Sequence, residues 1–202
     1  NKAFIPEKKP FLTMNLFTCP LLVLLVLVSS CESEQGRKAR EAAEEKVRIE
    51  KAERQEERDK YLNSSLATGS IPYDYCFGGN GNCSAYGCSN IVVKSPSNAD
   101  VIVTIKKQGA VYAHAYIGAG NQHTFDLPNG TYQTFFYYGK GWNPKKWMKA
   151  ASCGDLTGGF IESEHFGKDS PQALVDNILS YELILQQNGN FQTKPSNANE
   201  AF

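Results

Sequence analysis

Three patterns of apolar and polar positions follow one another along the chain. Residues 16–28 form a greasy run, LFTCPLLVLLVLV, interrupted only by Thr18, Cys19 and Pro20. A helix that crosses a bilayer needs about 20 apolar residues, so this run suits the hydrophobic region of a signal peptide, with Lys8 and Lys9 as its basic flank. Residues 34–62 are then built from helix formers, with neither Gly nor Pro after Gly36. Opposite charges recur at i and i+4, as in Glu34 with Lys38, Arg37 with Glu41 and Glu50 with Arg54, and each such pair contributes ~0.2–0.5 kcal/mol. Apolar positions there are few and small (Ala39, Ala42, Ala43, Val47, Ile49, Ala52), without the large a and d residues of a coiled coil. The pattern predicts a solvated helical spacer, ended by Asn63-Ser64-Ser65 and a hinge at Gly69-Ser70-Ile71-Pro72. A helix that docks on a partner or self-associates is the alternative.

From residue 90 the period changes to two. Residues 90–95 are short and apolar. In residues 100–107, Val101, Val103 and Ile105 share one face, and Ile102, Thr104 and Lys106 the other. A Gln108-Gly109 turn leads to residues 110–117, and Pro128-Asn129-Gly130 separates residues 124–127 from residues 131–138, which are aromatic on both faces. Strands arriving about every ten residues have the rhythm of a sandwich or barrel. Beyond Trp142-Asn143-Pro144 the pattern loosens. It predicts a strand at 158–162, a helical turn at 170–177 capped by Ser170 with Pro171 in first position, and a strand at 178–187. A turn at 188–190 then makes a terminal hairpin with 191–194, and residues 195–202 read as a tail. The expected fold class is mainly β: an antiparallel β-sandwich preceded by a signal peptide and a long charged α-helix.

The greasy run closes on Val28-Ser29-Ser30-Cys31. This junction resembles a bacterial lipobox, which implies cleavage after residue 30 and acylation of Cys31. An ordinary secretory signal, an uncleaved anchor and a buried core segment are the rival readings. The domain plan is therefore a lipoprotein signal peptide over 1–30, a lipidated N-terminus and charged stalk over 31–70, and one globular domain over 71–202. Attachment through N-terminal acyl chains places the protein in the cell envelope, at the outer membrane, on its periplasmic or surface side. The chain carries 21 basic and 21 acidic side chains, and removing the leader leaves 18 and 20. The charged run of residues 34–62 is balanced in sign, so no nucleic-acid partner is expected.

Export also decides how the cysteines read. Cys76, Cys83, Cys88 and Cys153 form an even set in an oxidising compartment, and four cysteines allow three pairings. The expectation is two disulfides, one inside the loop CFGGNGNCSAYGC and one joining it to Cys153. A four-Cys zinc site is the rival, although only Cys83 and Cys88 have suitable spacing.

The strand Asp100-Val101-x-Val103-x-Ile105, followed by Phe125-x-Leu127-Pro128-Asn129-Gly130-Thr131-Tyr132, resembles the small β-sandwich modules of PEGA-like and carboxypeptidase-regulatory-like (transthyretin-type) domains. The resemblance covers about 50 residues and implies a fold rather than an activity. The chain as a whole resembles small lipoproteins of diderm bacteria.

No nucleophile elbow, zinc-protease helix or phosphate-cradling loop occurs, and neither cofactor nor metal is expected. His114, His123 and His165 are isolated; a metal site from His165 with Glu162 and Glu164 is a minor alternative. Cys153 as a nucleophile is a weaker reading than Cys153 in a disulfide. The candidate contact surface is Phe135, Tyr137, Trp142, Lys145, Lys146 and Trp147, because planar aromatics with polar tips suit sugar faces and protein hot spots. The plainer reading is that these aromatics pack beneath the Cys-rich segment and the second β region. The leading function is a non-catalytic binding or accessory module contacting protein or glycan. The alternative is a structural envelope subunit working through its stalk, with an enzyme third.

Overall fold

Alternation along residues 100–138 produces a sheet that is buried on both sides, not one. The computed structural model describes residues 34–83, 87–150, 152–184 and 193–202, so the signal-peptide region and Cys31 lie outside the described residues. The chain divides into two units, residues 1–43 and residues 44–202. Helix α1 spans Glu34–Tyr61, and none of its residues is buried. Ion pairs such as Lys38–Glu34 at 2.8 Å and Arg37–Glu41 at 3.6 Å decorate it, as the charge spacing predicts. Among the described residues no helix is long and apolar enough to cross a membrane.

After the short helix α2 (Asp74–Phe77) come strands β1 (Cys88–Lys94), β2 (Asp100–Lys107), β3 (Ala110–Ile117), β4 (Gln122–Pro128), β5 (Gly130–Ala150), β6 (Gly154–Lys168), β7 (Gln172–Leu174), β8 (Ile178–Glu182) and β9 (Lys194–Pro195). Helix α3 (Ala198–Ala201) follows. The smaller sheet has the order β4-β1-β8; the larger runs β3-β2-β5-β6-β9, with β7 paired to the start of β5. Every described pairing is antiparallel except β1 with β8. The molecule is mainly β, with two sheets, neither of them closed, and one long helix at its N-terminal side.

Each face of the larger sheet has its own core. Val101, Val103, Ile105, Ala113, Ala115, Ile117, Phe136 and Tyr138 meet Ile91, Val93, Phe125, Leu127 and Tyr181 of the smaller sheet. On the other face Ile102, Tyr116, Phe135, Tyr137, Phe160 and Leu156 pack with Tyr73, Trp142, Met148 and Phe202. The chain itself covers this second face, using residues 66–77 and the segment around α3. Burial of apolar area at roughly 25 cal/mol per Å² drives both contacts.

That cover also closes the open edge of β3, which would otherwise invite pairing with another chain. The Gly69 N–H donates to the Tyr116 carbonyl and the Tyr116 N–H to the Ser70 carbonyl, each at 2.8 Å. Asn80 then imitates a strand partner: its Nδ2 donates to the His114 carbonyl at 2.8 Å, and its Oδ1 accepts from the His114 N–H at 2.9 Å. Residues 68–70 are therefore tied to the sheet, and the expected hinge is corrected.

The late part of the chain departs from expectation in three places. Strand β5 continues through Trp142-Asn143-Pro144 for 21 residues, with irregular register between Asn143 and Trp147. A bulge lets the strand absorb Pro144, whose missing N–H would break a regular ladder. Residues 172–174 are strand β7 rather than a helical turn, because Gly130–Tyr132 offers them a pairing edge. The expected tail, residues 195–202, holds the last residue of β9 and all of α3, and ends in Phe202, which is fully buried. Strand β9 pairs with β6, not β8; the expected turn at 188–190 lies outside the described residues.

Candidate functional site

Strand β2 pairs with β5 only from Gln133 to Gly139. Beyond that point β5 and β6 continue together as an arm, from the Lys140–Glu162 pair to the Ala150–Gly154 pair. Met148, Ala150 and Leu156 turn the inner face of the arm into the second core. Two glycines let it pack closely. Gly158 has φ +109°, and a Cβ there would lie 2.6 Å from the Trp142 ring. Gly141 has φ +69°, and a Cβ there would meet the Tyr61 carbonyl at 2.6 Å. The end of α1 is held on the same strands. Arg58 Nε donates to Glu162 at 3.1 Å, Asn143 Nδ2 donates to Glu57 at 2.6 Å, and the Trp142 N–H donates to the Ser64 carbonyl at 2.7 Å.

The four cysteines pair as Cys76–Cys153 and Cys83–Cys88. This is the arrangement expected from sequence, and it leaves none of the four as a zinc ligand or nucleophile. The long-range bond clamps α2 to the far end of the arm. Beside it, Tyr75 reaches Thr157: the Thr157 N–H donates to the Tyr75 hydroxyl oxygen at 2.7 Å.

The candidate contact residues separate into two groups. Phe135, Tyr137 and Trp142 are buried in the second core, Trp142 with only 3% of its surface exposed. As an open aromatic face these three are corrected: alternation does point Phe135 and Tyr137 away from the first core, but Tyr73, Phe77 and Phe202 cover them. Lys146 is committed to structure, donating from Nζ to Glu164 and to the Phe160 carbonyl, both at 2.5 Å. Tyr137 also donates to Glu164, and burial first, then Glu164, pushes its phenol well above the ordinary range. Trp147 and Lys145 remain outside. The Trp147 indole is 59% exposed, and Lys145 is exposed within the bulge.

A shallow groove of ≈ 330 Å³ opens beside them, lined by Leu66, Ser70, Ile71, Pro72, Tyr75, Trp142, Pro144 and Thr157. Tyr75 is 56% exposed. Thr157 joins the groove to the outer face of the arm, since its cross-strand partner is Trp147. Lys149 and Asp155, the next outward-facing pair, extend that face. Sequence reasoning missed Tyr75, Pro144, Thr157 and Lys149. The alternation Lys145-x-Trp147-x-Lys149 is visible in the sequence, but the looser pattern beyond Trp142-Asn143-Pro144 gives no reason to apply it.

His114 belongs to the second core. Its Nε2 accepts from the Tyr73 N–H at 3.1 Å, and its ring stacks on Tyr73. Burial pushes its pKa down to about 4, against weaker opposing influences from Asp74 and the Ile71 carbonyl. His165 stacks on Tyr138. Among the described residues no three His, Cys, Asp or Glu side chains converge as a metal site.

Comparison with known proteins finds no family model, no curated protein and no solved structure that matches the chain. The class that the geometry defines is a disulfide-braced, two-sheet β domain with a groove between its covering segment and the β5–β6 arm.

Proposed function

We propose that this chain is an exported, lipid-anchored, non-catalytic binding module of a bacterial cell envelope, and that the groove and arm are its contact surface. One observation carries the binding reading. Tyr75 and Trp147 are the exposed large aromatic side chains among the described residues; Tyr75 stands on α2 and Trp147 on the arm, and Cys76–Cys153 clamps the two together. Aromatics held this way present contact area at little entropic cost, as interface hot spots do. Export is supported by the lipobox-like junction and by two disulfides, which persist in oxidising compartments. The non-catalytic reading is supported by the commitment of the reactive-looking groups to structure. Tyr73 donates to the Gly158 carbonyl at 3.0 Å, and Tyr137 and Lys146 share Glu164.

The second reading, a structural subunit working through its helix, draws on the exposure of Val47 and Ile49 on α1. Capture of partners from solubilised envelopes by the full-length protein separates the two. Tyr75→Ala with Trp147→Ala should abolish capture, whereas deleting residues 35–50 should leave it intact. The reverse pattern hands the function to the helix. Intact mass should show Cys31 as an acylated N-terminus; an unmodified one overturns the lipid anchor.

A further inference from the structure

We propose that the groove and the outer face of the arm take an acidic glycan, a chain of sugar rings bearing carboxylate or phosphate groups. The inference deepens the binding-module reading and rests on it. The groove is open, aromatic-walled and at the small end of the ligand-pocket range of about 300–1,000 Å³. Its size suits a piece of an extended polymer better than a whole folded partner. Tyr75 offers an exposed ring face, with the hydroxyls of Ser70 and Thr157 beside it. This pairing of flat apolar surface with scattered hydroxyls matches a sugar ring, whose faces are C–H rich and whose rim carries hydroxyls. From Thr157 the surface continues to Trp147, a second exposed platform.

Charge selects the acidic kind. Lys149 lies two positions from Trp147 on the same strand face, and Lys145 is exposed in the bulge next to Pro144 of the groove wall. Among the described residues neither lysine is in an ion pair, whereas Lys146 between them is held by Glu164 and the Phe160 carbonyl. Strand pitch of ~3.3 Å per residue puts Trp147 and Lys149 about 7 Å apart, so a chain stacked on the indole brings its substituents within reach of the ammonium. Asp155, opposite Lys149, is the acid on this face.

An anionic bilayer would meet the same lysines, but the geometry favours the glycan. Interfacial anchoring scales with the apolar area that enters the bilayer, and this face offers one indole flanked by Thr157 and the Asp155 carboxylate. A carboxylate driven against anionic headgroups opposes binding, while beside a hydroxylated glycan it accepts hydrogen bonds.

The test uses the full-length chain in phosphatidylcholine nanodiscs, with short oligogalacturonates as probe and their methyl esters as the uncharged control. Acrylamide quenching reports on Trp147, because Trp142, the second of the two tryptophans, is buried. Oligogalacturonate should protect the emission saturably, lose affinity as salt is raised, and outperform the methyl ester. By calorimetry, Lys145→Gln with Lys149→Gln should weaken binding about fivefold and Trp147→Ala about tenfold or more, with circular dichroism unchanged. The assignment is overturned by absence of saturable protection, by equal protection from the methyl ester, or by stronger protection from phosphatidylglycerol vesicles. If the glycan fails while Tyr75→Ala with Trp147→Ala still abolishes envelope capture, the ligand class falls and the binding module stands.

Discussion

The two faces of the larger sheet are made from alternate residues of the same strands, yet they are buried by different means. One face meets a second sheet through aliphatic side chains, Val101, Val103 and Ile105 against Ile91, Val93 and Leu127. The other meets irregular chain and is aromatic, with Tyr73, Tyr137, Trp142, Phe160 and Phe202 in edge and tilted contacts. A sheet satisfies its own backbone polar groups before it packs. Irregular chain does not, so side chains fix the cover of the second core to the backbone: the Tyr73 hydroxyl on the Gly158 carbonyl, His114 on the Tyr73 N–H, and Asn80 on the β3 edge. It also carries a covalent tie, Cys76–Cys153. The contact surface stands on this second region, where a rigid platform must be made without a second sheet.

The difference can be broken outright. Phe160 is fully buried and touches Tyr116, Tyr137 and Trp142, so Phe160→Ala should destabilise the domain by about 3–5 kcal/mol. Denaturant unfolding measures it. Trp142 should become open to acrylamide below the global midpoint, because the cover loosens before the paired sheets do; a single shared midpoint would show that the two cores unfold as one.

Next comes the covalent contribution. Cys76–Cys153 closes 77 residues and Cys83–Cys88 only 5. Loop-closure entropy alone gives ~4.5 kcal/mol for the first and ~2 kcal/mol for the second. Replacing each pair by Ser and comparing melting temperatures should reproduce that order, and equal losses would contradict it.

The pH dependence is the mildest probe, worth roughly 3 kcal/mol at most. Folding holds His114 neutral with a pKa of about 4, whereas the unfolded chain takes up a proton near 6.5. Protons therefore favour unfolding. The contribution of His114 is complete above about pH 6.5 and is lost progressively as pH falls toward 4. Asp74 is the charged group that moderates the loss, with Tyr73 and Phe77 supplying the surrounding burial. His114→Gln should flatten the slope of stability between pH 6.5 and 4; an unchanged slope would assign it elsewhere.

Much of the first region was legible in order. The alternation at residues 100–107, the Asn129-Gly130 turn and the aromatic strand after it lead directly to β2, β4 and β5, because side-chain period alone separates a strand from a helix. The site was less legible. The six contact candidates form one group in the sequence, whereas the structure leaves Trp147 and Lys145 exposed and buries Phe135, Tyr137 and Trp142. Their strand neighbours say which way they point, not what stands opposite. Tyr75 carried no signal beyond its place beside Cys76, and its role depends on Thr157, 82 residues away.

The sequence by itself determined the charged helix, the strand series, the even set of cysteines and the lipobox-like junction, since each is written in local spacing and residue type. Only the tertiary structure decided that the sheet has two cores, that residues 66–77 and Phe202 cover the second, and that the arm brings Tyr75 to Trp147 across Thr157. Those outcomes depend on contacts between distant segments. Local periodicity records that a face is apolar, but the identity of its cover is settled by which remote chain can bury it.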